Sequence, residues 1–484
     1  MSGNPYDFNI TDQIEQDHNV FMREAEKEAK AREIAGEFFK TNSKGEAVSI
    51  NDYAVYSYIK YLYSICIIGS MPFIYDNGVY ERDETGARLK GIITGCLLEH
   101  KDLIKSNIQE RIYKLFLNDP ALQFRMDQMN NYPPHWIVFD NCIYDPIEKK
   151  TISHDPKYRA INKIHFKYDN AFVLSSDIVE DSSIYKWLTG LLPQTDDLEM
   201  LLEYLGYCLT IDTEQQKFLM LHGIAGSGKS LVIRAIGEVV GSENMSSQPL
   251  EKLSRRFATY NLLGKLVNSC GDISTGVVED ASTLKQVLGE DLMQAEAKGK
   301  DAISFKPYAK LLFSANGLPT INNEDSAGFY RRVLIANCEQ NFDQVDPGFF
   351  NKVIKPDLDI FVYMIVRALE RMYERGVLLE SQGSKDQVEK MWEKSDPVKA
   401  FLKDCTKKKA GARIQPRALY DVFDQYRFRI VADQLSPNAF YASMESKGYK
   451  RKKLHGVQYF IDIELKGAQT EPEAEDLEIN VINQ

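Results

Sequence analysis

The chain has 484 residues, 44% hydrophobic and 27% charged, with a formal net charge of −11. That is the make-up of a globular protein of about two to four domains, not of a disordered or fibrous chain. Seven cysteines are scattered without any Cys-x-x-Cys spacing, which argues against a zinc ribbon or a disulfide framework and suits a reducing cytoplasm.

No signal peptide is expected. The longest apolar run, near Ile65 to Phe73, is broken by Gly and Pro and is too short for a bilayer, so no membrane partner is expected. Residues 1–45 read as a charged helical arm, with Ile14 to Phe39 as its helix. Residues 46–210 read as a mixed helical and β domain. Helical periodicity runs from Ile50 to about Leu117, short strands lie at Trp136–Asp140, Cys142–Tyr144 and Lys150–Ser153, and a helix spans Ile184 to Leu209. Residues 211–380 form the α/β part, where strands and helices alternate from Phe218 to about Glu339, so a parallel sheet with helices on both faces is expected. An amphipathic helix spans Asp357 to Glu374. Residues 381–397 read as a linker, partly helical. Residues 398–466 are the last folded unit, and 467–484 an acidic tail expected to be disordered.

Charge is patterned along the chain. Asp396 to His455 holds 14 Lys and Arg against 6 Asp and Glu, whereas Ala468 to Gln484 holds 5 acids and no base. A basic module followed by an acidic tail suits nucleic acid better than the net charge suggests; the bland reading is a solvated surface.

The most specific signal is Gly223-Ile-Ala-Gly226-Ser227-Gly228-Lys229-Ser230. It fits G-x-x-x-x-G-K-[ST], between a buried strand at Phe218–Leu221 and a helix from Leu231. Glycines let the backbone turn several N–H groups onto one phosphate, and the helix N-terminus adds partial positive charge. Lys229 can reach the β- and γ-phosphates of ATP, and Ser230 can ligate Mg²⁺. A chance match is improbable in this strand–loop–helix setting.

Four features follow. The strand Lys265–Cys270 ends in Gly271-Asp272, where a carboxylate can serve Mg²⁺; the alternative is a turn Asp. Leu284–Asp291 reads as a helix, and Glu296 to Phe305 as a hairpin with Lys298 and Lys300 at its tip. Those lysines can grip a phosphate backbone, or can be merely solvated. The strand Lys310–Ala315 ends in Asn316, which can orient water or sense the γ-phosphate, or can be a turn residue before Pro319. Arg331-Arg332 precedes the strand Val333–Ala336. Either arginine can act as a finger toward a neighbouring subunit's nucleotide, or the two can form surface ion pairs.

In this order the elements resemble an AAA+ superfamily 3 DNA helicase of the phage/plasmid primase and poxvirus primase-helicase type. The resemblance is strongest from Phe218 to Glu339. It rests on the phosphate loop, the strand before Asp272, the Leu284-Lys285…Glu290-Asp291…Lys298-Gly299-Lys300…Phe305-Lys306-Pro307…Ala309-Lys310 stretch, Asn316-Gly-Leu-Pro319 and Arg331-Arg332. Upstream, Ile137–Asn141, Asp145, His154-Asp-Pro156 and Tyr168-Asp169 are similar to the smaller domain that precedes this core. Downstream, residues 398–465 resemble a winged helix. Its helix would start at Leu435–Phe440, with Ser436 as cap and Pro437 in the first turn. Its wing would be built from Lys450, Arg451, Lys452, Lys453 and His455-Gly456, with Gln458–Asp462 as the return strand.

The resemblance implies an ATP- and Mg²⁺-dependent hexameric ring that moves on single-stranded or forked DNA in a bacterial host cytoplasm. Lys229 and Ser230 would bind phosphate and Mg²⁺, and Asp272 would serve Mg²⁺. Lys298, Lys300 and the wing would meet DNA, Asn316 would be the sensor, and Arg331 or Arg332 the finger. Origin duplex, a primase, a polymerase and a single-strand-binding protein are the further partners it suggests. The chain departs from the pattern in placing Gly271 before Asp272 where two acids are common, which leaves the general base open; Glu279 and Asp280 are near in sequence. Residues 1–130 lack a carboxylate cluster or zinc-binding cysteines of the kind a primase domain needs, so no primase activity is expected. The helicase is expected to double as a replication initiator, and the competing function is an ATP-controlled DNA-binding assembly switch or initiator that does not unwind processively.

Overall fold

The computed structural model describes residues 29–98, 103, 107–169, 174–255, 257–271, 277–278, 282–289, 291–296, 302–321, 326–338, 340, 346–430 and 432–466. Its centre is a five-stranded sheet of Met245–Ser246, Val267–Cys270, Lys310–Ala315, Phe218–His222 and Val333–Asn337, in that spatial order, with every neighbouring pair parallel. The runs Phe218–Leu221, Leu311–Phe313 and Val333–Ala336 are continuously apolar because both faces are covered. Successive side chains leave opposite faces. Leu219 and Leu221 enter one core with the helices Ser183–Leu191, Thr195–Tyr207, Lys229–Val240 and Leu358–Arg375. Phe218 and Met220 enter a second core with the helix Ser282–Leu288 and the antiparallel hairpin of Met293–Ala295 and Ile303–Phe305.

The stretch read as a linker is a helix with a structural task. Ser381 caps Gln382–Ser395 by accepting from the Ser384 amide at 3.0 Å. The buried Ser384 hydroxyl accepts from the Ile335 amide at 2.9 Å, so the helix covers the edge strand Val333–Asn337. Its apolar anchors Val388, Met391 and Trp392 recur at three- and four-residue steps and pack on the second core.

Upstream, the helical expectation for residues 50–117 is corrected in part. Asp52–Leu62, Ala87–Gly95 and Ile108–Asn118 are helices, but Ile65–Ile68, Met71–Asp76 and Val79–Arg82 form an antiparallel sheet. The turns decide it: Ser70 has φ 66°, and Asn77 and Gly78 have φ 45° and 94°, which reverse the chain tightly. These elements share a core around Val55, Ile59, Ile74, Ile112 and Phe116. A second small sheet, Ile137–Val138, Ile143–Asp145 and Lys150–Ile152, follows. The buried Ile137, Phe139 and Tyr144 of this stretch join the core that holds Leu219 and Leu221.

The C-terminal unit has helices Pro397–Cys405, Pro416–Arg429 and Pro437–Ser446, and an antiparallel sheet ordered Thr406–Ile414, Val457–Leu465, Arg451–Leu454. Each helix opens on Pro, whose missing N–H costs nothing there. Asp396 and Ser436 cap the first and third by accepting from Lys399 N at 3.0 Å and Ala439 N at 3.2 Å. The core holds Phe401, Leu419, Phe460 and Ile463, and Phe423 stacks on Phe440 with ring centroids 4.4 Å apart. Among the described residues no helix is long and apolar enough to cross a membrane.

Candidate functional site

The strand Phe218–His222 lies between Lys310–Ala315 and Val333–Asn337, so its C-terminal end is where connections leave the sheet in both directions. Crevices at such ends are where open parallel sheets bind ligands. The loop from Gly223 to Ser230 leaves the strand here and runs into the helix Lys229–Val240.

Each loop glycine has a local reason. A Cβ on Gly223 would sit 2.0 Å from the Cys338 carbonyl oxygen, so only glycine lets the chain pass the neighbouring strand. Gly226 and Gly228 have φ 82° and 93°, in the left-handed region. Gly223→Ala is therefore expected to destabilise the fold by about 1–3 kcal/mol, read from denaturant unfolding; an unchanged midpoint would contradict this packing.

Gly228 offers no side-chain cap to the helix, so no side chain competes for that end of the helix dipole, an arrangement that favours an anion. Lys229 is buried at 5% exposure, and its ammonium donates to the carbonyls of Gly223 and Ile224 at 2.7 Å each and to Ser227 Oγ at 3.2 Å. The charge is thus folded over the loop, on hydrogen bonds to loop oxygens that a phosphate can replace. Ser227 is buried and Ser230 is exposed, one residue into the helix. These residues suit a nucleotide phosphate and its Mg²⁺.

Parallel pairing assembles the rest of this corner. The Gly223 amide donates to the Ala315 carbonyl at 3.2 Å, which brings the exposed Asn316 beside the loop. Cys270 pairs with Phe313, so the strand preceding Asp272 ends at the same side; a Cβ on Gly271 would lie 3.7 Å from Ser314 Oγ. Asp272 itself, Glu279, Asp280, Lys298 and Lys300 lie outside the described residues, as do the arm up to residue 28 and the tail from 467. The strands flanking the Lys298–Lys300 tip form the hairpin expected.

Sequence reasoning missed His222, Asn337 and Cys338. His222 Nδ1 lies 2.9 Å from Asn337 Oδ1, and the Cys338 amide donates to the His222 carbonyl at 2.6 Å. Burial pushes the Cys338 thiol up to about 12, against the nearby Lys229 charge, so it is an inert packing group at neutral pH. His222 is legible only by its adjacency to Gly223. Asn337 has no local signal, since strand pairing alone brings it there.

Arg331 and Arg332 stand at the opposite end of the sheet. Val333 pairs with Phe218 and Asn337 with His222, so a strand length of roughly 13 Å separates the pair from the loop. Neither arginine serves the loop of its own chain. Their surroundings differ sharply. Arg332 is buried and donates to the Gly328 carbonyl at 2.5 Å and to Gln216 Oε1 at 3.3 Å. Arg331 is exposed, and its carbonyl accepts from Lys217 Nζ at 2.6 Å. Lys310 belongs to this far end too. Buried, it donates to the carbonyls of Thr210 and Tyr308 at 2.7 and 3.1 Å over the Tyr207 ring, and burial pushes its ammonium down to about 8.

The basic residues Lys450, Arg451, Lys452 and Lys453 lie in the C-terminal unit. The last three form the edge strand, which turns back through His455-Gly456 at φ 47° and 85°. Arg451 is half-buried and donates to Glu445 at 2.7 Å; the other three are exposed.

Comparison with known proteins places residues 221–332 in a match to a family of unknown function (DUF5906). Over 170 residues, 33% of this chain, the sequence is 26% identical to an Acanthamoeba polyphaga mimivirus protein named "Putative helicase L207/L206". That match spans only 18% of the mimivirus protein's length. Among solved structures, the A form of the apo NrS-1 C-terminal region aligns over 84% of this chain and 98% of its own, at 11% identity and a TM-score of 0.48. A second apo structure of the NrS-1 C-terminal region aligns over the same shares at 10% identity and a TM-score of 0.47.

Proposed function

We propose that the protein is an ATP- and Mg²⁺-dependent DNA helicase, working as a ring of identical chains, most simply a hexamer, in the replication of a phage or other mobile element. The observation that carries the reading is the loop Gly223–Ser230, with its left-handed glycines, uncapped helix and buried lysine at the C-terminal end of a parallel strand. The name of the mimivirus relative supports the strand-separating part.

In this reading Gly223, Gly226, Ser227 and Gly228 cradle the phosphates. Lys229 turns from the Gly223 and Ile224 carbonyls to the β- and γ-phosphates, exchanging carbonyl dipoles for full negative charge. Ser230 and Asp272 hold Mg²⁺, which supplies neutralisation of phosphate charge. Asn316 orients the attacking water. Arg331, exposed and far from its own loop, reaches the nucleotide of the adjoining copy, while Arg332 anchors this end of the sheet to Gly328 and Gln216. Lys298 and Lys300 grip the strand in the ring. The C-terminal unit, read as a winged helix, adds DNA contacts through Lys450, Arg451, Lys452 and Lys453.

The direct test is ATP hydrolysis with and without single-stranded DNA. Hydrolysis that DNA stimulates supports a motor. No hydrolysis overturns the site assignment, and hydrolysis indifferent to DNA favours the assembly switch.

A further inference from the structure

The C-terminal unit carries its positive charge on the sheet rather than on the helix that a duplex groove would receive. The strands Thr406–Ile414 and Arg451–Leu454 hold seven Lys and Arg, against the two carboxylates Asp462 and Glu464 on the strand between them. The helix Pro437–Ser446 holds no Lys or Arg and one acid, Glu445. A groove-reading helix needs donors for phosphates and base edges; this helix offers neutral donors such as Asn438 but no cation for the phosphates.

Strand pairing sorts the two faces of the sheet, because directly opposed residues share a face. Phe460 and Ile463 are fully buried in the core. They stand three positions apart, an odd spacing that plain alternation would put on opposite faces. The bulge at residues 409–412 and the left-handed Asp462, φ 60°, reset the alternation, and Asp462 Oδ1 accepts from the Gly411 amide at 2.9 Å. The opposite face therefore carries Tyr459 beside Lys452, Ile461 beside Arg413, and Glu464 beside Lys407. Lys407, Lys409, Arg413 and Lys452 are exposed, and Tyr459 is half-buried. The Arg413 guanidinium lies 5.6 Å from the Tyr459 ring centre. Glu464 sits 3.1 Å from both Lys407 and Lys409, which fixes the two lysines side by side.

We infer that this outer sheet face is a platform for single-stranded nucleic acid. Lys407, Lys409, Arg413 and Lys452 follow the phosphates, and Tyr459 stacks on a base. The combination of exposed cations around an aromatic ring on an open sheet matches what an unpaired strand offers, since a duplex hides its base faces. The inference rests on the nucleic-acid reading above and adds the face, the residues and the kind of strand.

The test uses the full chain, a labelled oligothymidine and a labelled duplex of equal length, with binding followed by anisotropy over a salt series. The wild type is expected to prefer the oligothymidine. Replacing Lys407, Lys409 and Arg413 by Gln together should lower its affinity at least about tenfold and reduce the log–log salt slope by about 2, at about 0.7 per charge. Tyr459→Ala should cost roughly tenfold while Tyr459→Phe is silent, because stacking needs the ring and not the hydroxyl. Asn438→Ala, on the exposed side of the helix, should change nothing. Unchanged unfolding midpoints separate lost contacts from lost structure. A triple variant with wild-type affinity and slope overturns the platform and leaves the helicase reading standing, as does a wild type that prefers duplex and loses it with Asn438→Ala. A wild type that binds neither probe overturns both.

Discussion

Lys229→Ala is expected to lower nucleotide turnover by roughly 10²- to 10³-fold, the usual cost of removing one preorganised group that meets developing charge. The structural reason is the position of the ammonium. It is buried within the loop, 2.7 Å from two of the loop's own carbonyls, so it is already desolvated and needs only to swing to a phosphate. Truncation leaves the Gly223 and Ile224 carbonyls without that donor, which costs about 1–3 kcal/mol in the nucleotide-free protein. Turnover and fold stability can be separated by thermal unfolding with and without Mg-ATP. The wild type should gain stability from the ligand by mass action, and the variant should lose most of that gain. A variant with near-normal turnover would place the phosphate site elsewhere.

The second large effect divides two adjacent arginines. Arg331→Ala should leave the unfolding midpoint nearly unchanged and lower turnover by about 10³-fold or more, the scale of an arginine finger. Arg332→Ala should do the reverse first. It removes buried, charge-assisted bonds to the Gly328 carbonyl and to Gln216, at roughly 1.5–3 kcal/mol for such a bond, and shifts the midpoint. Mixing supplies the control for a shared site. Inactive Arg331→Ala and inactive Lys229→Ala chains should partly rescue each other, because a mixed ring contains interfaces with one intact finger and one intact loop. Absence of rescue would argue that no site is shared between copies. Equal destabilisation by both substitutions would remove the distinction between the arginines.

What was legible in the sequence was what is local. The stretch Gly223–Ser230 announces itself because its glycines answer backbone demands within eight consecutive residues, and the flanking apolar runs are long enough to fix strand and helix. Lys310–Ala315 and Val333–Ala336 were legible as strands for the same reason, since burial on both faces makes their central runs apolar. The turn at Asn77-Gly78 is written in the sequence, but the three- and four-residue recurrence of Tyr, Ile and Leu around it points to helix from Ile65 to Arg82, where strands form. The helix Gln382–Ser395 looked like a linker because its outer face is polar; its Ser381 cap and the Val388, Met391 and Trp392 anchors gain meaning only once a sheet edge needs covering. Pairing partners were not legible at all. The meeting of His222 with Asn337, and of the Gly223 amide with the Ala315 carbonyl, depends on strand order, which no local pattern encodes. Burial likewise separates Arg331 from Arg332, which the sequence presents as equivalent neighbours.

Hydrolysis at the Gly223–Ser230 loop is expected to drive strand separation. Displacement of a labelled strand from a forked duplex, compared between the wild-type chain and Lys229→Ala with Mg-ATP present, tests it most directly. The expected result is ATP-dependent displacement by the wild type and none by the variant. Displacement that survives Lys229→Ala, or a wild type that hydrolyses ATP on DNA yet leaves the fork intact, would contradict it.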